Sequence, residues 1–153
     1  MKKVISFIAI IAIAAFTGNM INIGLSYGIQ WKSLEPISFM ESFATDFTLL
    51  LLPTATTLLP AFISTMLVFF MSQRKSLTKK YWLYALFSLL LISVFTVAYF
   101  LPLNIDFINQ KITIGEVAGK LNSWLFFHWL RVAVAILAGI FALKGFESAL
   151  KKE

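Results

Sequence analysis

Residues 121–143 read LNSWLFFHWLRVAVAILAGIFAL, an apolar run near the end of the chain. A helix of this length crosses the roughly 30 Å hydrocarbon core of a bilayer. Two ionisable residues interrupt the run, His128 and Arg131, and helical spacing places both on one face with Trp124. His128 is the only histidine in the chain. Because ionisable side chains are costly at membrane depth, this face predicts a functional site.

The composition of the whole chain is that of an integral membrane protein. Of 153 residues, 59% are hydrophobic and 13% are charged, and the mean hydropathy is +0.87. A soluble domain has about 45–50% apolar and about 25% charged residues. The lack of cysteine excludes a disulfide framework, a thiolate metal site and a cysteine nucleophile. The basic residues lie at the ends of apolar runs, which indicates membrane topology and not nucleic-acid binding.

Four apolar stretches predict four transmembrane helices. They cover approximately residues 4–27, 37–71, 81–103 and 121–143. Backbone polar groups must be bonded internally in lipid, so each stretch is expected to be helical. The short connections predict an all-α antiparallel four-helix bundle in up-down-up-down order, forming one transmembrane domain over residues 1–153. We interpret the first stretch as a retained helix, because it is longer than the apolar region of a usual signal peptide.

The distribution of lysine and arginine predicts the orientation of these helices. Nine of these residues lie at the two termini and in the connection between the second and third stretches, and three lie in the other two connections. Basic residues accumulate in cytoplasmic segments of membrane proteins. We therefore expect both termini to be cytoplasmic, in a bacterial inner membrane.

Two charged residues at matching depth predict a buried ion pair. Arg131 lies roughly 15 Å along the fourth helix from its expected start near Lys120. Asp46 lies about 13 Å along the second helix from Ile37. An unpaired charge in hydrocarbon is unfavourable by several kcal/mol. We therefore predict that Asp46 is the counter-ion of Arg131, with Glu41 as the reserve.

Further polar residues in the extracytoplasmic half predict a pocket there. Besides His128 and Arg131, the expected site residues are Trp124, Asn104, Asn19, Asn22 and Asp46. The cytoplasmic half is nearly all apolar, so the pocket is expected to open towards the outer leaflet or the periplasm. A single histidine with one or two carboxylates provides too few ligands to predict a metal site. No cofactor is expected.

Two short motifs carry a resemblance to a known family. The first is the PLN sequence at 102–104, and the second, some twenty residues later, is W-x3-H-x2-R at Trp124, His128 and Arg131. Together they resemble the anthrone-oxygenase-like proteins, small four-helix membrane proteins of which many have no assigned activity. The remaining similarity lies in the first two helices, at Gly18, Gly24, Ser26 and the stretch from Glu35 through Phe39 and Phe43 to Pro53.

The resemblance implies a reaction as well as a fold. Characterised members oxidise anthrones to anthraquinones with dioxygen, without a metal or flavin. In that chemistry His128 would remove a phenolic or C–H proton, and Arg131 would stabilise the resulting oxyanion. Asn104 would position the substrate and Trp124 would stack on one of its rings.

Three functions remain open from the sequence. The first is an oxygenase-like enzyme that acts on a hydrophobic aromatic substrate. The second is a membrane protein that binds, or helps to transport, a small hydrophobic molecule without changing it. The third is a structural membrane protein in which His128 and Arg131 only hold helices together. The expected partners are membrane lipid and a hydrophobic small molecule, and the oligomeric state is not determined.

Overall fold

The computed structural model describes residues 2–151 as four long helices joined by short turns. These are α1 (Lys2–Lys32), α2 (Pro36–Met71), α3 (Leu77–Ile108) and α4 (Ile114–Leu150). Each helix is long and apolar enough to cross a membrane. Consecutive helices run antiparallel, so the predicted all-α four-helix bundle is confirmed. α1 packs most closely on α2 and α3 on α4, while α1–α4 and α2–α3 contacts close the ring.

The helices are longer than the apolar stretches that predicted them. α4, for example, begins at Ile114 and ends at Leu150, beyond both limits of the run at 121–143. Hydropathy marks the part of a helix that meets lipid, whereas backbone hydrogen bonding continues into the flanking polar residues. α3 likewise starts at a cap, because the Ser76 hydroxyl accepts from the Lys79 N–H at 3.1 Å.

The antiparallel order gives the bundle two distinct ends. The chain termini and the α2–α3 turn lie at one end, which we call the terminal end. The α1–α2 and α3–α4 turns lie at the other, the loop end. Most of the basic residues counted above therefore gather at the terminal end. Lys152, which was part of that count, lies outside the described residues.

The core of the terminal half consists mainly of small side chains. The fully buried alanines of this half are Ala9, Ala61, Ala85, Ala138 and Ala142. Small residues let transmembrane helices approach closely. Trp82 is the one aromatic residue among the fully buried residues described in this half. It packs directly on Gly145, where a Cβ atom would lie 2.8 Å from the Trp82 indole nitrogen. The packing of this half therefore depends on glycine and alanine at the contact positions.

The core of the loop half consists of large aromatic side chains. Its buried rings include Trp31, Phe39, Phe43, Phe100, Phe107 and Trp124. These rings contact one another mostly edge to face or tilted, as between Phe39 and Phe107, whose centroids are 5.0 Å apart. Such contacts are favourable beyond the burial of area alone. The polar residues predicted as a site lie in this half.

Candidate functional site

Arg131 lies at the centre of the site. It is the only charged residue of the apolar run 121–143, and its side chain is buried with 8% exposed. Its guanidinium donates to the Thr96 hydroxyl oxygen of α3 at 3.1 Å and to His128 Nδ1 at 3.0 Å. The guanidinium carbon lies 3.3 Å from the centroid of the Phe100 ring, a cation–π contact. The cation is thus held by neutral groups.

The predicted ion pair between Asp46 and Arg131 is wrong. The Asp46 carboxylate accepts from the Trp31 indole N–H at 2.8 Å and from the Ser42 hydroxyl at 3.0 Å. Glu41, the reserve partner, is exposed. Within residues 2–151, no carboxylate lies within ion-pair distance of Arg131.

The depth argument failed because of where α4 begins. From the observed helix starts, Arg131 lies roughly 25 Å along α4 and Asp46 lies roughly 15 Å along α2. In addition, helical rise gives the depth of a residue but not the direction of its side chain. The Asp46 carboxylate is directed at Trp31 of α1, and it accepts from the indole N–H of that residue.

His128 is fully buried, and both of its ring nitrogens have partners. Nε2 donates to the Met20 carbonyl oxygen of α1 at 2.8 Å, and Nδ1 accepts from Arg131. A carbonyl only accepts and a guanidinium only donates, so the ring is neutral with its proton on Nε2. Trp124 stacks on the ring at 5.0 Å between centroids, with planes 7° apart. His128 therefore ties α1 to Arg131 and fixes the guanidinium.

A π-helical turn in α3 supplies two of the groups around Arg131. It covers Thr96–Phe100, and the Leu101 N–H bonds to the Thr96 carbonyl, five residues back. Pro102, two residues after the turn, has no N–H to continue regular α-helical bonding. The Thr96 hydroxyl also donates to the Ile92 carbonyl at 2.7 Å, which leaves its oxygen free to accept from Arg131. Single π-turns are frequent at functional sites.

A cavity lies beside Arg131 in the loop half. The cavity and the open space at its mouth together hold about 660 Å³, and all four helices contribute to its walls. Its polar lining residues are Thr54, Thr96, Asn104 and Arg131. The other lining residues are apolar, and half of them are aromatic. A largely apolar cavity with a few convergent polar groups is typical of a small-molecule site.

The polar groups of the cavity are mainly hydrogen-bond donors. The Asn104 side-chain carbonyl accepts from the Trp124 indole N–H at 2.8 Å, so the amide NH2 of Asn104 points elsewhere. In the described part of the chain, neither that NH2 group nor Arg131 Nε has an acceptor. Thr54 already accepts from the Asn19 amide at 3.0 Å. The cavity therefore suits a ligand that brings acceptor oxygens or a negative charge.

The predicted site residues separate into three groups. Arg131, Asn104 and Trp124 line the cavity. His128 and Asn19 lie behind the lining, where His128 holds Arg131 and Asn19 holds Thr54. The remaining two residues do not line the cavity: Asp46 bonds to Trp31, and the exposed Asn22 accepts from the Ser26 hydroxyl at 2.9 Å. Their assignment to substrate binding stays a prediction without support from this geometry.

Sequence reasoning missed Thr96, Phe100 and Thr54. The first two lie four residues apart, immediately before the PLN sequence, and the proline there is the signal that could have indicated an irregular turn. Thr54 follows a proline in α2, where a threonine hydroxyl is expected to bond to a backbone carbonyl of its own helix. None of the three carries a charge, so the free energy of placing them in lipid is too small to mark them as functional residues.

Comparison with known proteins supports the earlier resemblance. A family model described as anthrone oxygenase matches residues 39–141, about two thirds of the chain. The matched range includes Thr96, Asn104, His128 and Arg131, and it excludes the whole of α1. No significant match was found among curated proteins or among solved structures. The chain belongs to the anthrone oxygenase family.

Proposed function

We propose that this protein is a membrane oxygenase that needs no cofactor and oxidises a hydrophobic aromatic substrate in the cavity beside Arg131. The observation that carries the proposal is a buried cation with no carboxylate partner among the described residues, lining an aromatic cavity. A ligand that brings its own oxyanion completes the charge balance. Family membership supports the same chemistry.

Arg131 is the residue that we assign to the oxyanion. An anthrone that loses a methylene proton becomes an enolate, whose negative charge lies largely on oxygen. Charge–charge attraction is stronger in a low-dielectric cavity than in water, and donors fixed in advance need not reorganise. The guanidinium is already fixed by Thr96, His128 and Phe100. We assign Asn104, through its free NH2 group, to a second oxygen of the substrate.

The enolate then supplies the electrons for the reaction with dioxygen. A new C–O bond forms at the former methylene carbon, and the outer peroxide oxygen takes up the proton that this carbon released, which gives a hydroperoxide. The O–O bond breaks as the second hydrogen leaves that carbon, which yields a carbonyl group and one water. One methylene group and one dioxygen are consumed, and the carbon is oxidised while dioxygen is reduced. The substrate itself is the reductant, so the proposal requires no metal or flavin.

We assign His128 to positioning. As a general base its Nδ1 would have to release Arg131, because that lone pair already accepts from the guanidinium. His128 also does not line the cavity. The role of base that the family resemblance implies stays a prediction, and the dependence of turnover on pH separates the two roles.

The test uses purified protein in lipid nanodiscs with 1,8-dihydroxy-9-anthrone. We expect dioxygen uptake equal to the anthrone oxidised, above spontaneous oxidation, and loss of that activity in Arg131→Met. Phe126→Leu is the matched control, since Phe126 lies on the same helix with 68% of its side chain exposed. A folded Arg131→Met variant that keeps wild-type turnover would contradict the proposal. Binding without oxidation would show the protein to be a non-catalytic binder.

For location we propose a bacterial inner membrane with both termini in the cytoplasm. The gathering of basic residues at the terminal end supports this orientation. The chain has no cysteine, so a single introduced cysteine reports the side on which it lies. In intact spheroplasts an impermeant maleimide should label Lys111→Cys but not Lys75→Cys. The opposite labelling would reverse the orientation.

A further inference from the structure

The loop end of the cavity is closed by aromatic rings. Trp31, Phe39, Phe43 and Phe107, which we call the aromatic plug, are each at most 1% exposed. Their rings contact one another, with centroids 4.8 Å apart for Trp31 and Phe43 and 5.3 Å apart for Phe43 and Phe107. Contacts at these distances leave no passage for a multi-ring molecule. A ligand in the water beyond the loop end has no direct route to Arg131.

The terminal side of the cavity is closed by tight packing. Thr65 and Val68 of α2 and Ala135 and Ala138 of α4 are all 0% exposed. Close-packed interiors contain few voids larger than a water molecule. A ligand therefore has no direct route from the terminal end either.

The side of the cavity between α2 and α3 is different. Leu51 of α2 and Leu101 of α3 both line the cavity, yet their side chains are 55% and 42% exposed. A residue that belongs to both the lining and the outer surface marks a mouth. Leu51 lies roughly 22 Å along α2, a helix of 36 residues, so the mouth is near mid-helix. At that depth the surroundings of the bundle are hydrocarbon and not water.

We propose that the ligand of the cavity enters sideways from the bilayer, between α2 and α3 and past Leu51 and Leu101. This inference rests on the proposed function and narrows its substrate class to flat, apolar molecules dissolved in the membrane. The acceptor oxygen leads towards Arg131 and Asn104, and the rings follow between the aromatic walls. Leu51 and Leu101 then cover the trailing edge of the ligand.

A second groove also reaches Arg131, between α3 and α4. It is lined by Phe95, Phe127, Leu130 and other apolar residues, but by neither Asn104 nor Trp124. The Phe95 and Phe127 rings meet edge to face at 5.3 Å. This groove thus reaches Arg131 but lacks the amide of Asn104 and the ring of Trp124. It is the competing route in the test.

The test blocks one route at a time in a chain that has no cysteine of its own. Leu101→Cys, Leu130→Cys and Val97→Cys are each reacted with N-cyclohexylmaleimide in vesicles. The association rate of 1,8-dihydroxyanthraquinone is then followed by quenching of tryptophan fluorescence. Val97 is the matched control, because it lies in α3 with 65% exposure and does not line the cavity. We expect only modified Leu101→Cys to bind the probe more slowly, by about tenfold or more.

Each other outcome overturns the inference. Unchanged association in modified Leu101→Cys shows that the mouth between α2 and α3 is not the route, while the proposed site itself stands. Slowing confined to Leu130→Cys assigns the route to the groove between α3 and α4. If the unmodified protein does not bind the probe at all, the proposed function fails and the inference fails with it.

Discussion

The two halves of the bundle differ in how often their polar side chains bond between helices. In the terminal half, serine hydroxyls mostly bond within their own helix, as Ser6, Ser72 and Ser88 do to carbonyls four residues back. In the loop half, local bonds of this kind also occur, but several polar side chains bond between helices. These bonds join His128 to Met20, Arg131 to Thr96, Trp124 to Asn104, Trp31 to Asp46 and Asn19 to Thr54. At the terminal end, Thr78 to Ser148 is a comparable bond.

The halves also differ in backbone regularity. Both π-helical turns, Ile23–Tyr27 and Thr96–Phe100, lie in the loop half. The terminal half packs alanines and glycine at close range, whereas the cavity beside Arg131 lies in the loop half. Stability and ligand binding are therefore separated along the same four helices, since close packing and an open cavity cannot occupy the same depth.

Among the residues that do not line the cavity, the largest expected effect comes from His128, whose imidazole joins α1 to Arg131. His128→Ala frees the guanidinium of Arg131 on one side, and we expect turnover to fall by about 100-fold, the size expected when a catalytic group is misplaced. If His128 only positions Arg131, His128→Ala and the wild type should show the same dependence of turnover on pH between about pH 5 and pH 8. Steady-state rates in nanodiscs measure both. A change of wild-type turnover with pH in this range that is lost in His128→Ala would establish His128 as the base and contradict the positioning role.

A bulky residue in the terminal half should affect stability and spare the site. In Gly145→Leu the new side chain meets Trp82, so we expect the free energy of unfolding to fall by about 1–3 kcal/mol. Turnover per folded molecule should not change. Thermal unfolding in detergent, beside Gly119→Leu, provides the measurement, because a Cβ atom at Gly119 meets nothing within 4 Å. Equal melting temperatures for the two variants would show that close packing does not stabilise this half.

Removing the charge of Asp46 distinguishes the observed contacts from the ion pair that the sequence predicted. Asp46→Asn keeps an acceptor for Trp31 and Ser42 but removes the negative charge, so we expect a loss of about 1 kcal/mol in stability. We expect little change in turnover, since Arg131 is held by other groups. Detergent melting curves and rates test this, with Glu41→Gln as the exposed control. A severe loss of activity in Asp46→Asn, but not in Glu41→Gln, would support the ion pair that the sequence predicted.

The smallest effect is expected at Asn22. Its side chain is exposed and bonds only to Ser26 among the described residues. Asn22→Ala should therefore change both stability and ligand affinity by no more than about 0.5 kcal/mol. Asn19→Ala is the matched comparison, because it removes the bond to Thr54 on the cavity wall and should weaken binding more. Titration with the anthraquinone probe measures the affinity of both variants. A larger loss of affinity in Asn22→Ala than in Asn19→Ala would show that the ligand binds elsewhere.

The sequence predicted the face of α4 well and the partners of that face poorly. Spacing alone placed Trp124, His128 and Arg131 together, because residues three and four apart are neighbours on any helix. The partners of Arg131 come from α3 through a π-turn, which changes the direction of Thr96 and Phe100 relative to a regular helix. Hydropathy contains no information about such a turn.

The sequence by itself determined the membrane class, the four helices and their antiparallel order. Each follows from local patterns, since apolar length, helical period and short turns act over neighbouring residues. Only the tertiary structure decided that Arg131 faces Thr96 and not Asp46, and that Leu51 and Leu101 flank a mouth to the side. These contacts depend on how each helix is rotated about its axis and where it starts. That choice is made by side-chain packing among all four helices at once.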